Sequence, residues 1–165
     1  MKIGKGVEWA AHTCALLAAL PPGWSLSKEA LAEFLDVPPA YLAKHLQALS
    51  RGGIVTAQRG AAGGYRLSRL PETLSLWDIT AAVEGTAPSF RCTEIRRNGP
   101  CGASQSECSG PCSIAAAFQH AESTYRQALA AVPLTELVDG IAREASSARK
   151  QRIGEWIQQN ATRPA

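Results

Sequence analysis

The stretch Asp36–Leu67, DVPPAYLAKHLQALSRGGIVTAQRGAAGGYRL, orders everything around it. Asp36-Val37-Pro38-Pro39 is a tight connection, and the spacing of Leu42, Leu46 and Leu49 predicts a helix from about Pro39 to Ser50. Arg51-Gly52-Gly53 ends it. Ile54–Gln58 then reads as a strand, Arg59–Gly64 as a glycine-rich tip, and Tyr65–Ser68 as a returning strand. From Val37 to Pro71 there are 35 residues without an Asp or Glu, and they include Lys44, His45, Arg51, Arg59, Arg66 and Arg69. A phosphate backbone favours such a window, because each carboxylate would repel it.

Upstream, Ser27 is a good N-cap, and Glu29 and Ala30 open a short helix with Leu31, Phe34 and Leu35 apolar. Before it, Val7–Leu20 is Ala- and Leu-rich and is stopped by Pro21-Pro22-Gly23. Two short helices joined by a few residues, then a basic hairpin, describe a winged helix-turn-helix whose second helix would lie in the major groove. The expected fold is mainly α with a small β-hairpin wing, followed by a long dimerisation helix. The candidate DNA contacts are Tyr41, Lys44, His45, Gln47 and Arg51 on the helix and Arg59, Gly63, Gly64, Tyr65 and Arg66 on the hairpin. The competing reading is a small α+β domain with a protein-binding wing.

The chain has 165 residues, 17 Lys+Arg against 14 Asp+Glu, and a net charge of +3. That length fits one domain with an appended arm, able to bury a core without disulfide staples. Five cysteines is an odd number, which a closed disulfide framework would not leave. No apolar run approaches the ~20 residues of a membrane span. The apolar start, Met1–Leu20, is interrupted by Glu8 and His12 and lacks a clear cleavage site, so a cytoplasmic protein with reduced thiols is expected. No nucleophile–base pair and no phosphate loop point to an enzyme.

After a helix predicted over Leu76–Val83 comes a loop with Cys92, Cys101, Cys108 and Cys112, separated by eight, six and three residues. Gly99-Pro100, Gly102 and Gly110-Pro111 mark it as loop. Pro111 opens a long helix to about Ala131, placing Cys112 in its first turn, where free N–H groups favour a thiolate. Three chemistries compete. Zinc suits only the last gap. A thiol–disulfide switch would use Cys101 and Cys108. An iron–sulfur cluster accepts looser spacing. In the first helix Glu8 and His12 are four apart and share a face. On an otherwise apolar helix they are expected to be largely buried and to need partners: each other, an arginine, or a metal. Cys14, opposite His12, reads as a small buried hydrophobe.

In the long helix Ile114, Phe118, Ala121, Tyr125, Ala128 and Val132 follow 4-3-4-3-4 spacing, a seam suited to a partner helix or to intrachain packing. A homodimer is expected in any case for a helix-turn-helix reading the two half-sites of a palindromic operator. Leu134–Ala142 reads as another short helix. From Ser146 the chain is polar, with Ile153, Trp156 and Ile157 as a docking patch. The expected organisation is a winged domain over 1–84, a cysteine loop over 85–111, a dimerisation helix and following helix over 112–145, and a polar tail over 146–165.

Asp36–Lys44 with Tyr41-Leu42-Ala43-Lys44, then Leu49–Val55, then Arg59-Gly60 and Gly63-Gly64-Tyr65-Arg66-Leu67 resemble the winged-helix signature of the IscR/NsrR family of bacterial transcription regulators. The resemblance implies homodimers on palindromic operators, many of them holding an iron–sulfur cluster. Its common three-cysteine pattern implies a [4Fe–4S] cluster on Cys92, Cys101 and Cys108. Gly6–Ala10 with His12, Phe90–Arg96, Gly99-Pro100, Cys108, Pro111-Cys112 and Ile114-Ala115 are more similar to the redox-sensing RsrR subgroup, over roughly Met1–Leu137. That resemblance implies a [2Fe–2S] cluster held by Cys92 and Cys112 of one subunit and Glu8 and His12 of its partner. Cys108 then matches a non-ligand cysteine, and Cys101 has no counterpart. Such a ligand set implies proton-coupled one-electron sensing with His12 as the protonated group, and Trp9, beside both helix ligands, as a packing relay or simply a core tryptophan.

Overall fold

The structure, a computed structural model, describes residues 3–58 and 63–163. Among these residues seven α-helices and one hairpin follow in the order α1 (Lys5–Ala18), α2 (Lys28–Leu35), α3 (Pro39–Arg51), β1 (Val55–Gln58), β2 (Gly64–Leu67), α4 (Leu76–Glu84), α5 (Ser113–Ala130), α6 (Leu134–Glu144) and α7 (Ser147–Asn160). The winged helix-turn-helix is present as expected, with helix and strand ends within about two residues of those the pattern predicts. No helix among the described residues is long and apolar enough to cross a membrane.

Local chemistry sets the ends. Ser27 caps α2 by accepting the Ala30 N–H at 3.0 Å, and Asp36 closes that helix in the left-handed region, φ 50°. Pro39 opens α3, where its missing N–H costs nothing. Ser75 and Asp78 form a reciprocal capping box at the start of α4. The core gathers one face of each helix of the winged domain: Ala10, Cys14 and Leu17 of α1, Leu31 of α2, Leu42, Leu46 and Leu49 of α3, and Ile79 of α4. Each fully buried Leu or Ile contributes about 1.5–3 kcal/mol.

The hairpin pairs Val55 with Leu67 and Gln58 with Gly64. It is not free-standing. Leu26 exchanges both backbone hydrogen bonds with Tyr65, at 2.7 and 3.1 Å, and Ser25 does the same with Thr162, at 2.9 and 3.0 Å. This two-residue strand therefore ties the wing on one side and the end of α7 on the other. Gly64 permits the contact: a Cβ there would lie 2.9 Å from the Leu26 carbonyl carbon and oxygen. Gly64→Ala is expected to cost about 1–3 kcal/mol, because backbone cannot yield as a side chain does; a urea melt measures it.

The polar tail is a helix. Its polar residues face water while Ile157 is buried and Trp156 packs on Phe34 at 4.8 Å between ring centroids. The patch Ile153, Trp156, Ile157 thus docks on the winged domain, and the segment belongs to that domain's core rather than trailing from it.

Candidate functional site

On α3, Tyr41, Lys44, Gln47 and Arg51 are exposed along one side, with Tyr41 at 63 %. His45 is different. Its ring lies over Gly6 of α1, so close that a Cβ on Gly6 would sit 2.2 Å from the imidazole Cε1. It also meets Trp9 edge-on at 5.8 Å. Burial, helped by the Lys44 charge, lowers its pKa and favours the neutral ring. His45 therefore fills the joint between α1 and α3 and is half withdrawn from the surface that was to present it. Trp9 also touches Tyr41, edge-on at 6.4 Å. On the wing, Arg66 is exposed, Gly63 is half-buried, and Gly64 and Tyr65 are engaged with Ser25 and Leu26. Arg59 lies outside the described residues.

Glu8 and His12 do share a face of α1, but both are exposed, which corrects the expectation that the two are largely buried; the helix itself is buried on its other sides, through Val7, Ala10, Thr13, Cys14, Leu16 and Leu17. The reason is that α3, α4 and α6 cover the opposite faces. Neither residue is held by an ion pair among the described residues, with each other or with an arginine. An open groove of about 450 Å³, floored by Ala11, Ala15, Leu137 and Ile141, runs beside His12 between α1 and α6. Cys14 is fully buried, as expected, and burial pushes its thiol up to about 12.

The cysteine loop is anchored where it leaves α4. Glu122 of α5 accepts the Ser89 N–H at 3.1 Å and pairs with Arg126. Arg126 donates to the Thr86 carbonyl at 2.9 Å and lies over the Trp77 ring at 5.1 Å. Arg96 then crosses the loop, pairing with Glu94 at 2.5 Å and donating to the Gly110 carbonyl at 3.0 Å. It thereby connects the neighbourhoods of Cys92, whose Sγ accepts the Glu94 N–H at 3.4 Å, and of Cys112. Cys92 and Cys101 are exposed, Cys108 is half-buried, and all five cysteines are free thiols. Cys112 is the buried N-cap residue of α5. No full capping hydrogen bond forms, but the N–H groups of Ala115 and Ile114, followed by the Arg96 charge, hold its thiol below the ordinary range. No three His, Cys, Asp or Glu side chains among the described residues surround a common point, so one chain does not bring the four candidate ligands together.

Along α5, Ile114 (63 %) and Phe118 (52 %) are exposed, with Ala121 and Ala128, while Tyr125 is half-buried; Val132, expected on the same seam, lies beyond the end of the helix, where its carbonyl accepts the Leu76 N–H at 2.9 Å. Phe118 stacks on Phe90 of the loop at 4.7 Å. Sequence patterns pointed to neither the Gly6–His45 contact nor the Arg96 and Glu122–Arg126 clamps. Gly6 had only the signal of a glycine at a helix start, and the clamps had none.

The profile of the Rrf2 family, described as iron-dependent transcriptional regulators, matches residues 3–140. YffB of Lactococcus lactis, a protein named as an HTH-type transcriptional regulator, is 30 % identical over 139 residues, 84 % of this chain and 88 % of that protein. The HTH-type transcriptional repressor NsrR of Streptomyces coelicolor is 28 % identical over the same shares of the two chains. Among solved structures, IscR of T. potens superposes with a TM-score of 0.65 at 19 % identity, covering 90 % of this chain and 95 % of that one. CymR, the global cysteine regulator of B. subtilis, does so at 0.64 and 19 %, covering 84 % and 97 %. These two likenesses are of fold.

Proposed function

The chain belongs to the Rrf2 family of transcriptional regulators, and from that footing we propose that it is a homodimeric, redox-sensing regulator of palindromic operators. It would hold a [2Fe–2S] cluster between subunits, on Cys92 and Cys112 of one protomer and Glu8 and His12 of the other. The observation that carries this reading is the state of the donors. Cys112 has its thiol pKa lowered at a helix start, while Glu8 and His12 stand exposed, with no ion pair among the described residues, on the helix that buttresses α3. The donor chemistry fits, since two thiolates, a carboxylate and an imidazole are all competent iron ligands. Bound there, the cluster supplies a one-electron change of charge. The chain's own part is to sense it and pass it on. Gly6 and Trp9 press on His45 and Tyr41, so a shift of α1 moves the recognition helix with it. The exposed Ile114 and Phe118, with Ala121, Tyr125 and Ala128, offer the partner a seam on α5 that Val132 follows just past the helix end.

Glu8→Ala and His12→Ala are each expected to lower iron and labile sulfide per dimer and to alter the visible spectrum of anaerobically purified protein. Full occupancy with an unchanged spectrum in both variants overturns this ligand choice and leaves Cys92, Cys101 and Cys108 as the ligands of a [4Fe–4S] cluster. Colourless protein without iron or sulfide instead favours a thiol–disulfide switch. Its support is that Cys101 is exposed and Cys108 half-buried on one loop, both as free thiols. Hydrogen peroxide would oxidise them by two electrons: the S–S bond forms as the O–O bond breaks, and the two thiol protons leave with the peroxide oxygens as two waters.

A further inference from the structure

The family profile ends at residue 140, so α7 lies wholly beyond it. Residues 147–163 hold Arg149, Lys150, Arg152 and Arg163 against Glu155 alone. That is a net +3, equal to the formal charge of the whole chain, so the remainder is neutral on balance. In a protein that meets DNA, this is the most one-sided concentration of charge outside the winged domain's own acid-free window.

Its placement is defined at two points. Trp156 packs on Phe34 near the C-terminal end of α2, and Thr162 pairs with Ser25 ahead of the N-terminus of α2. α7 therefore runs back along α2 in the opposite direction. At 1.5 Å per residue, Arg149 lies about 10 Å beyond Trp156, past the end of α2 and toward the Asp36–Pro38 turn that leads into the recognition helix. Arg149 and Lys150 also sit on the near side of α7, and Arg152 on its flank. At 100° per residue, Arg149, Lys150 and Arg152 fall within about 95° of the direction set by Ile153, Trp156 and Ile157, and Glu155 falls about 150° away. Glu155 is further engaged with Gln151 at 2.8 Å. All three cations are exposed, and none forms an ion pair among the described residues, although Glu33 and Asp36 are exposed on and just after α2.

We propose that α7 is a phosphate-contacting arm: in the DNA complex Arg149, Lys150 and Arg152 neutralise backbone phosphates flanking the major-groove segment entered by α3. The proposal rests on the DNA-binding reading and is independent of the cluster. Ion pairs of this kind add affinity without sequence preference and are released by salt.

The test is the salt dependence of binding to a mixed-sequence DNA duplex by the full chain and by Arg149→Ala/Lys150→Ala/Arg152→Ala. The slope of log affinity against log salt is expected to become shallower by about 0.9 for each phosphate left without its cation, so the wild type's advantage shrinks roughly 3.5-fold per phosphate between 50 and 200 mM salt. Substitutions at exposed positions leave stability within about 0.5 kcal/mol, which a thermal melt verifies. A charge-reversed variant, Arg149→Glu/Lys150→Glu/Arg152→Glu, should weaken binding further. Wild type that binds while both variants keep its affinity and slope overturns the arm alone, and would assign the cations to an acidic protein partner. Wild type that does not bind the duplex overturns the DNA-binding reading and the arm together.

Discussion

Leu46→Ala is expected to lower stability by about 2–5 kcal/mol and to weaken DNA binding in parallel. Leu46 is fully buried on α3, the helix packed against α1, α2, α4 and β1 at once. Truncation loses the transfer free energy of the removed carbons and leaves a cavity that four neighbouring elements hold open. Against a total of about 5–15 kcal/mol for an ordinary domain, this is a large share. The reading surface suffers with the core, because Lys44 and Gln47 stand on the same two turns of helix. A urea melt at fixed protein concentration should show a lower midpoint with an unchanged slope. Gln47→Ala, one residue away but exposed, should leave the midpoint nearly in place while lowering affinity. A cost under about 1 kcal/mol for Leu46→Ala would mean that α3 is not seated as described.

The second large effect is expected at Cys112. On the proposed ligand set, Cys112→Ala should abolish iron and sulfide binding by the anaerobic protein, whereas Cys14→Ala should leave it intact. The two buried thiols differ in electrostatics. Cys14 lies in apolar packing that drives its thiol up to about 12, so it stays protonated at neutral pH. Cys112 faces helix N–H groups and the Arg96 guanidinium, which lower its pKa. A lowered pKa raises the thiolate fraction at any given pH near neutrality, and acidification through the lowered value removes it. Alkylation of the metal-free protein followed by mass mapping should therefore label Cys112 at pH values where Cys14 is inert. Full cluster occupancy in Cys112→Ala would reject Cys112 as a ligand.

The parts of the molecule legible in the sequence are those with local causes. The α3 stripe of Leu42, Leu46 and Leu49 has the helical period, the Gly52-Gly53 stop is a backbone signal, and the hairpin is bounded by glycines. Ser27 and Ser75 behave as caps wherever the chain places them. What was hidden depends on distant partners. α1 is apolar nearly all round, so its sequence could not say which face α3, α4 and α6 would cover; Glu8 and His12 are on the uncovered one. His45 stands about 65° from the Leu42–Leu46–Leu49 stripe, at the edge of the buried face, and the missing side chain at Gly6 of a distant helix is what lets it sink between α1 and α3. α7 is poor in apolar residues because two or three suffice once Phe34 and the Ser25 strand are there to receive them. The Arg96 crossing joins residues fourteen apart in a loop without periodicity.

The four tryptophans sit at four different joints. Trp9 lies between α1 and α3, Trp24 under Arg163 at 5.1 Å, Trp77 under Arg126, and Trp156 on Phe34. Each indole meets a distinct neighbour, an imidazole and a phenol, two separate guanidinium groups, and a phenyl ring. The molecule is thereby supplied with its own optical gauges. With three of the four replaced by phenylalanine, the emission maximum and quenching of the remaining indole would follow the opening of a single seam, without any attached dye.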